Sequence, residues 1–297
     1  FFSIGIIIGA IFSHRVELVG KLYAIDLFGA ALGCGLSVPI IEWLDPPRTV
    51  ILAGLSLCIA GLFRARAYKK VFRVGALITA LLLIVICVPS ALPDPVASKS
   101  KGIEKFINNG TLRYSKWNPV FRVDVGGASD DSLVVLHDGA IGSGLWRFNG
   151  DLSTLKYFNG DLRSVPFALL SPNPNVLIIG AAGGHEVLAS LYFGAGHVTA
   201  VELNPVTYSL VKDKFADFTG HLTEHPKVTY VNGDARWFLE KSQEKFDLIW
   251  FAAPDSYAAL GPASASPFVL SESYLFTVEM HLQSLRHLSS GGIICSH

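Results

Sequence analysis

The sequence predicts two architectures in series: a multi-span α-helical membrane segment, then an α/β domain on a parallel sheet with helices on both faces. Three observations carry this. Charge is unevenly distributed, long apolar runs fill the first third, and short apolar strands alternate with helical stretches after residue 171. Only 16% of the 297 residues are charged, where a soluble domain averages about 25%. Residues 1–93 hold 8 of the 24 bases and 4 of the 24 acids, a net of +4. The remainder holds 16 bases and 20 acids, a net of −4. That pattern excludes a single soluble globule, a disordered chain and a basic nucleic-acid binder, so no nucleic-acid partner is expected.

The membrane part is assigned to residues 1–93, with about four helices and the first truncated. Phe1–Ser13 is apolar but short, and Leu22–Leu44 is long enough to cross. Val50–Phe63 is short unless its flanks extend it, and Val74–Leu92 is strongly apolar. Gly5, Gly9, Gly29 and Gly33 form two GxxxG patterns, expected to serve ordinary helix packing. Asp26 lies within two turns of Lys21 and reads as interfacial. Loops 14–21 and 64–73 carry most of the bases, so the positive-inside rule would put the soluble part outside the cytoplasm. The donor argued below requires the cytoplasmic side, and the two expectations conflict. The sole methionine is Met280 and the first residue is Phe1, so the chain is expected to be a piece of a longer protein, stopping early at its C-terminus.

Residues 94–110, rich in Pro, Ser and Ala at their start, read as a linker. Residues 111–170 read as a small β-rich domain, with strands at Thr111–Tyr114, Val120–Val125, Ser132–Leu136 and Ala140–Gly142. Residues 171–297 then alternate. Strands are expected at Val176–Ile179, Val198–Val201, Val228–Val231, Phe246–Phe251 and Gly292–Cys295. Helices are expected at Glu186–Phe193, Pro205–Phe218 and Glu272–Leu288. Continuous apolar strands of this kind belong to a parallel sheet covered on both faces.

Three features fall at strand C-terminal ends, where ligands bind in such sheets. Gly180-Ala181-Ala182-Gly183-Gly184 is a small-residue loop that lets backbone approach a ligand. Glu202 follows 22 residues after Gly180 and suits two ribose hydroxyls. Asp234, in Asn232-Gly233-Asp234-Ala235, suits the exocyclic amine of adenine. The loop is not GxGxxG, which favours an adenosine ligand without a pyrophosphate. Cysteines lack metal or disulfide spacing, and His221 and His225 lack a third ligand, so no metal is expected.

These strings resemble the spermidine/spermine synthase (polyamine aminopropyltransferase) family. The resemblance rests on Ser171–Gly184, Val198–Asn204, Val231–Ala235, Phe246–Ile249 and Ser290–Ile293. His137-Asp138-Gly139 resembles the family's small N-terminal β-domain, and Leu22–Gly33 resembles its membrane-bound bacterial members. The resemblance implies a Rossmann-like, methyltransferase-type domain. It implies a donor, decarboxylated S-adenosylmethionine or S-adenosylmethionine, and a small-molecule amine acceptor. It also implies a bacterial inner-membrane location in contact with the lipid bilayer, a cytoplasmic soluble domain, and room for a homodimer. Gly180, Ala181, Ala182, Gly183, Gly184, Glu186, Glu202, Asn204, Asp234 and Ala235 would form the donor site.

Two departures bear on the chemistry. The family's glycine loop carries an acid for the donor's amino group, whereas the nearest acid here is Glu186. The family's fourth strand ends in an Asp-Ser-Ser-Asp run, whereas here it reads Ala252-Ala253-Pro254-Asp255. An amine is mostly protonated at neutral pH, so transfer needs a base within hydrogen-bond reach. Asp255, supported by Tyr257, is the candidate; a simple turn cap is the competing role. Trp250, Tyr257 and Tyr274 suit either an acceptor pocket or core packing. Aminopropyl transfer leads, ahead of methyl transfer to a small molecule and of a non-catalytic nucleoside-binding module.

Overall fold

A computed structural model describes residues 2–88, 92, 101–252 and 275–296. The chain divides into two units, residues 1–95 and 96–297.

The first unit is helical throughout. Helices α1 (Phe2–His14), α2 (Val19–Leu44), α3 (Pro46–Ala65) and α4 (Lys69–Cys87) follow one another with short breaks. The α2–α3 break has a local cause. Asp45 takes a left-handed conformation, φ 75°, and its side chain accepts from the Arg48 N–H at 3.0 Å. Pro46 and Pro47 then open α3 at positions where a helix needs no amide donor. Three stretches, Val16–Leu44, Pro46–Ala65 and Lys69–Cys87, are long and apolar enough to cross a membrane, while Ile4–His14 is shorter. The 50–63 stretch is extended by its flanks into a full-length helix. The expected glycine packing is not observed: a Cβ at Gly5, Gly9, Gly29 or Gly33 would meet nothing within 4 Å. The close approach is at Gly75 instead, where a Cβ would come 2.9 Å from Leu62. GxxxG spacing permits contact only when a partner faces it, and α3 with α4 supplies that pairing.

The second unit opens with α5 (Ile103–Asn108), inside the stretch read as a linker. Ile103 is buried, and a Cβ at Gly126 would overlap the Phe106 ring, so this helix is packed rather than connecting. An antiparallel sheet follows in the order β1 (Leu112–Lys116), β2 (Val123–Gly126), β3 (Ser132–His137), β4 (Ala140–Trp146). Residues 152–168 are not β-structure but a run of 3₁₀ turns, with Asp151 and Asp161 capping successive turns. Short polar side chains that bond nearby amides favour such turns over a ladder.

The parallel sheet has β5 (Asn175–Ile179), β6 (His197–Glu202), β7 (Val228–Asn232), β8 (Phe246–Phe251) and β9 (Leu288–Ser296). Their order is β7-β6-β5-β8-β9, all parallel. This is the doubly wound order with its reversal beside β5. The connecting helices are α6 (His185–Tyr192), α7 (Pro205–Ser209), α8 (Ala235–Lys241) and α9 (Val278–Arg286). The expected helix over 205–218 stops being α-helical after Ser209. The Phe215 N–H bonds the Leu210 carbonyl, a wider π turn that keeps Leu210 and Val211 fully buried. Helix α8 was not anticipated. Helix α9 begins only at Val278, with Thr277 accepting from the Met280 N–H; residues 271–274 lie outside those described.

One apolar core runs through both sheets, joining Val125, Leu133 and Leu145 of the small sheet to Val176 and Ile178 of β5. The tightest point is Gly183 against Gly144, where a Cβ would overlap the Gly144 carbonyl oxygen. We predict that Gly183→Ala destabilises the protein by at least about 2 kcal/mol, because neither backbone can retreat. Chemical denaturation of the two proteins checks this; equal stability would show that the sheets do not meet there.

Candidate donor site

The cavity that collects these elements has a volume of about 540 Å³. Its floor is the C-terminal edge of the parallel sheet: Gly180 after β5, Glu202 and Leu203 at β6, Gly233 to Ala235 after β7, and Ala252 after β8. Its roof is the small sheet, through Phe121, Leu133, His137 and Ile141. The volume suits a small organic ligand.

Glu202 is the organising side chain. It is buried, and its two oxygens are held separately. Oε1 accepts from the Asn204 N–H at 2.8 Å, and Oε2 from the Ala182 N–H at 2.9 Å. The carboxylate therefore ties the β6 end to the loop after β5. Each oxygen retains capacity for a further donor, such as a ribose hydroxyl. Burial pushes the carboxyl up to about 7, against the opposing pull of the two amides.

The loop's conformation follows from this anchor. Gly180 and Gly184 have φ of 81° and 85°, and Ala182 has 41°. Ala182 is held there from both sides, its N–H by Glu202 and its carbonyl by the Tyr230 hydroxyl at 2.8 Å. Gly180 and Ala182 line the cavity. Ala181 is fully buried in the core, Gly183 packs on Gly144, and Gly184 caps α6 against Leu222. Those three shape the loop from behind and do not line the cavity. The left-handed Gly184 bonds its N–H to the Ala181 carbonyl, at 2.8 Å.

Asp234 sits on the cavity wall, and its Oδ1 accepts from the Trp237 N–H at 2.8 Å, capping α8. Its other oxygen makes no hydrogen bond among the described residues. Ala235 lies beside it on the wall. Asn204 is placed differently from the expectation. It is fully buried off the cavity, its Oδ1 capping α7 through the Val206 N–H at 2.9 Å. Asp255, Tyr257 and Tyr274 lie outside the described residues. Trp250 is 1% exposed and packs on Phe167, so it is core. His221 bonds Asp217 on the surface. Among the described residues no three His, Cys, Asp or Glu side chains group to hold a metal.

Glu186 lines the cavity, but not alone. Arg163 Nε donates to its Oε1 at 2.8 Å, and Arg163 Nη1 donates to Asp161 Oδ1 at 3.0 Å. Beside them His185 stacks on Trp146, with ring centroids 4.6 Å apart. Arg163, His185 and Trp146 escaped the sequence reading. They come from a 3₁₀ turn, a helix start and a β-strand, and no spacing links them.

Residues 157–297 match the spermine/spermidine synthase domain. That part of the chain is similar to the spermidine/spermine synthase family. Curated relatives agree. The chain is 29% identical over 133 residues to a polyamine aminopropyltransferase of Korarchaeum cryptofilum, covering 44% of this chain and 38% of the relative. It is 26% identical over 269 residues to polyamine aminopropyltransferase 1 of Streptomyces coelicolor, covering 80% and 46%. It is 26% identical over 287 residues to a polyamine aminopropyltransferase of Corynebacterium efficiens, covering 93% and 50%. The chain thus spans half or less of the length of these relatives. Among solved structures it is similar to spermidine synthase from Thermotoga maritima, with a TM-score of 0.43 and 20% identity. That match covers 63% of this chain and 56% of the other. It is also similar to a spermidine synthase in complex with the transition state analogue AdoDATO, with a TM-score of 0.41 and 18% identity, covering 60% and 55%.

The Glu202 carboxyl generates a pH signature. Ribose hydroxyls donate to the ionised form, whose population rises through a pKa of about 7. We predict that affinity for methylthioadenosine rises roughly tenfold from pH 6 to pH 8. Titration calorimetry across that range checks it; a flat profile would mean that ionised Glu202 is not the acceptor.

Proposed function

We propose that the second unit binds an adenosyl sulfonium donor and transfers its three-carbon arm to a small-molecule amine, releasing methylthioadenosine. One observation carries this reading. Gly180, Glu202 and Asp234 stand at the ends of three adjacent parallel strands and line one cavity. Asp234 takes the adenine amine, Glu202 the ribose hydroxyls, and the Gly180–Ala182 backbone lies against the arm. The match of residues 157–297 to the spermine/spermidine synthase domain supports aminopropyl transfer to a polyamine-like acceptor as the form of that chemistry.

The acceptor nitrogen must lose a proton as its lone pair attacks the carbon bound to sulfur. The S–C bond then breaks and its electrons return to sulfur, which leaves as a neutral thioether. The β8 end offers Ala252, a wall without a carboxylate, at the position where the family resemblance expects the first acid. Asp255 takes the proton in this proposal, supported by Tyr257. The apolar helices α2, α3 and α4 anchor the chain in a bilayer, because each has the length to cross.

The full chain in detergent should bind methylthioadenosine, and Glu202→Ala should abolish that binding. Asp255→Asn should lower turnover of an accepted amine at least about a hundredfold while leaving nucleoside affinity unchanged. Nucleoside binding with no turnover of any amine donor pair would leave a binding module in place of an enzyme.

A further inference from the structure

The roof of the cavity carries an imidazole to which the nucleoside reading above gives no task. His137 ends β3, is buried, and lines the cavity. A tight turn sets it there. Asp138 and Gly139 take φ of 47° and 81°, the left-handed pair that closes a two-residue hairpin, and His137 pairs with Ala140 across it. Asp138 Oδ1 accepts from the Arg122 N–H at 2.8 Å, which ties the turn to the start of β2.

Two contacts seat the ring. It packs on the Phe121 ring, with centroids 4.3 Å apart. It also lies directly over Gly142, where a Cβ would fall 2.5 Å from Nδ1 and 2.8 Å from Cε1. Gly142 is not left-handed, so its backbone would accept alanine; the imidazole is what needs the space. The same neighbours place the ring above the floor. The Phe121 carbonyl accepts from Asn204 Nδ2 at 3.3 Å, two residues beyond Glu202. Gly144, two residues beyond Gly142, packs on Gly183 of the loop after β5. His137 therefore roofs the interval between the β6 end and that loop, which Glu202 bridges from below. Ser143 and Trp146, by contrast, stand over Gly183 and His185.

A ribose hydroxyl has one proton to give and two lone pairs to satisfy. When its proton goes to Glu202, its oxygen still needs a donor, and leaving it unmet in a closed site costs affinity. The Ala182 and Asn204 amides are already committed to Glu202. An imidazole carries an N–H in either tautomer.

We infer that His137 donates a ring N–H to a ribose hydroxyl whose proton is held by Glu202, so that the two sheets grip the sugar from opposite sides and select ribose over a deoxy sugar. Gly142 is a positioning residue that acts through His137 by leaving room for the ring. This rests on the nucleoside reading above and leaves its donor and acceptor classes as they stand.

The test is titration calorimetry of the full chain in detergent at pH 8, where the Glu202 carboxyl is mostly ionised. The probes are methylthioadenosine and its 2′-deoxy and 3′-deoxy forms. His137→Ala should weaken methylthioadenosine about tenfold, yet weaken one of the two deoxy forms by no more than about twofold. His137→Gln keeps a side-chain N–H and should restore part of the loss. Gly142→Ala should reproduce the selective loss in the otherwise wild-type chain and add nothing in the His137→Ala background, where the space is free. If methylthioadenosine binds but His137→Ala or Gly142→Ala changes none of the three affinities, or lowers all three by one factor, this inference is overturned and the nucleoside reading stands. If folded wild-type protein binds no methylthioadenosine, the nucleoside reading fails and this inference fails with it.

Discussion

The double engagement of Glu202 is the constraint from which the shape of the cavity follows. A buried carboxylate is costly unless its oxygens are met by donors. Here the donors are two backbone amides, one two residues ahead and one across the strand gap at Ala182. The same bonds that satisfy the acid hold the loop after β5 in its left-handed turn and keep an unusual φ at a residue other than glycine. Removing this side chain would leave two amides unmet and release the loop, so binding geometry and local stability share one origin.

The small antiparallel sheet has a different task. It meets the loop after β5 at Gly183 and Gly144, and its apolar side chains continue the core of the parallel sheet. That contact roofs the cavity and lowers the local dielectric, which strengthens every charge interaction inside it. The Arg163–Glu186–Asp161 cluster stands at the margin of this shelter, where one guanidinium bridges two carboxylates.

Much of this was legible in order along the chain. Phe246–Phe251 was read at its exact limits, and the other strands of the parallel sheet were located by their apolar runs. Errors fell where non-local packing decides. The segment 205–218 has helical spacing, yet keeping Leu210 and Val211 in the core widens the helix into a π turn. The 94–110 stretch looked like a linker because helix α5 is only six residues long and its apolar side is completed by Gly126 and the small sheet. Asn204 looked like a ligand residue because it sits close to Glu202, but β6 has ended there and its Oδ1 caps α7 through the Val206 N–H, which holds the side chain in the core.

The sequence by itself determined the two-part architecture, the alternation of strand and helix, and the placing of Gly180, Glu202 and Asp234 at strand ends. These depend on hydrophobic period and on spacing along the chain, which are local properties. Only the tertiary structure decided which of those groups face one cavity and which support it from behind. It alone brought Arg163 to Glu186, because two residues 23 apart on a turn and a helix meet only when the core positions both.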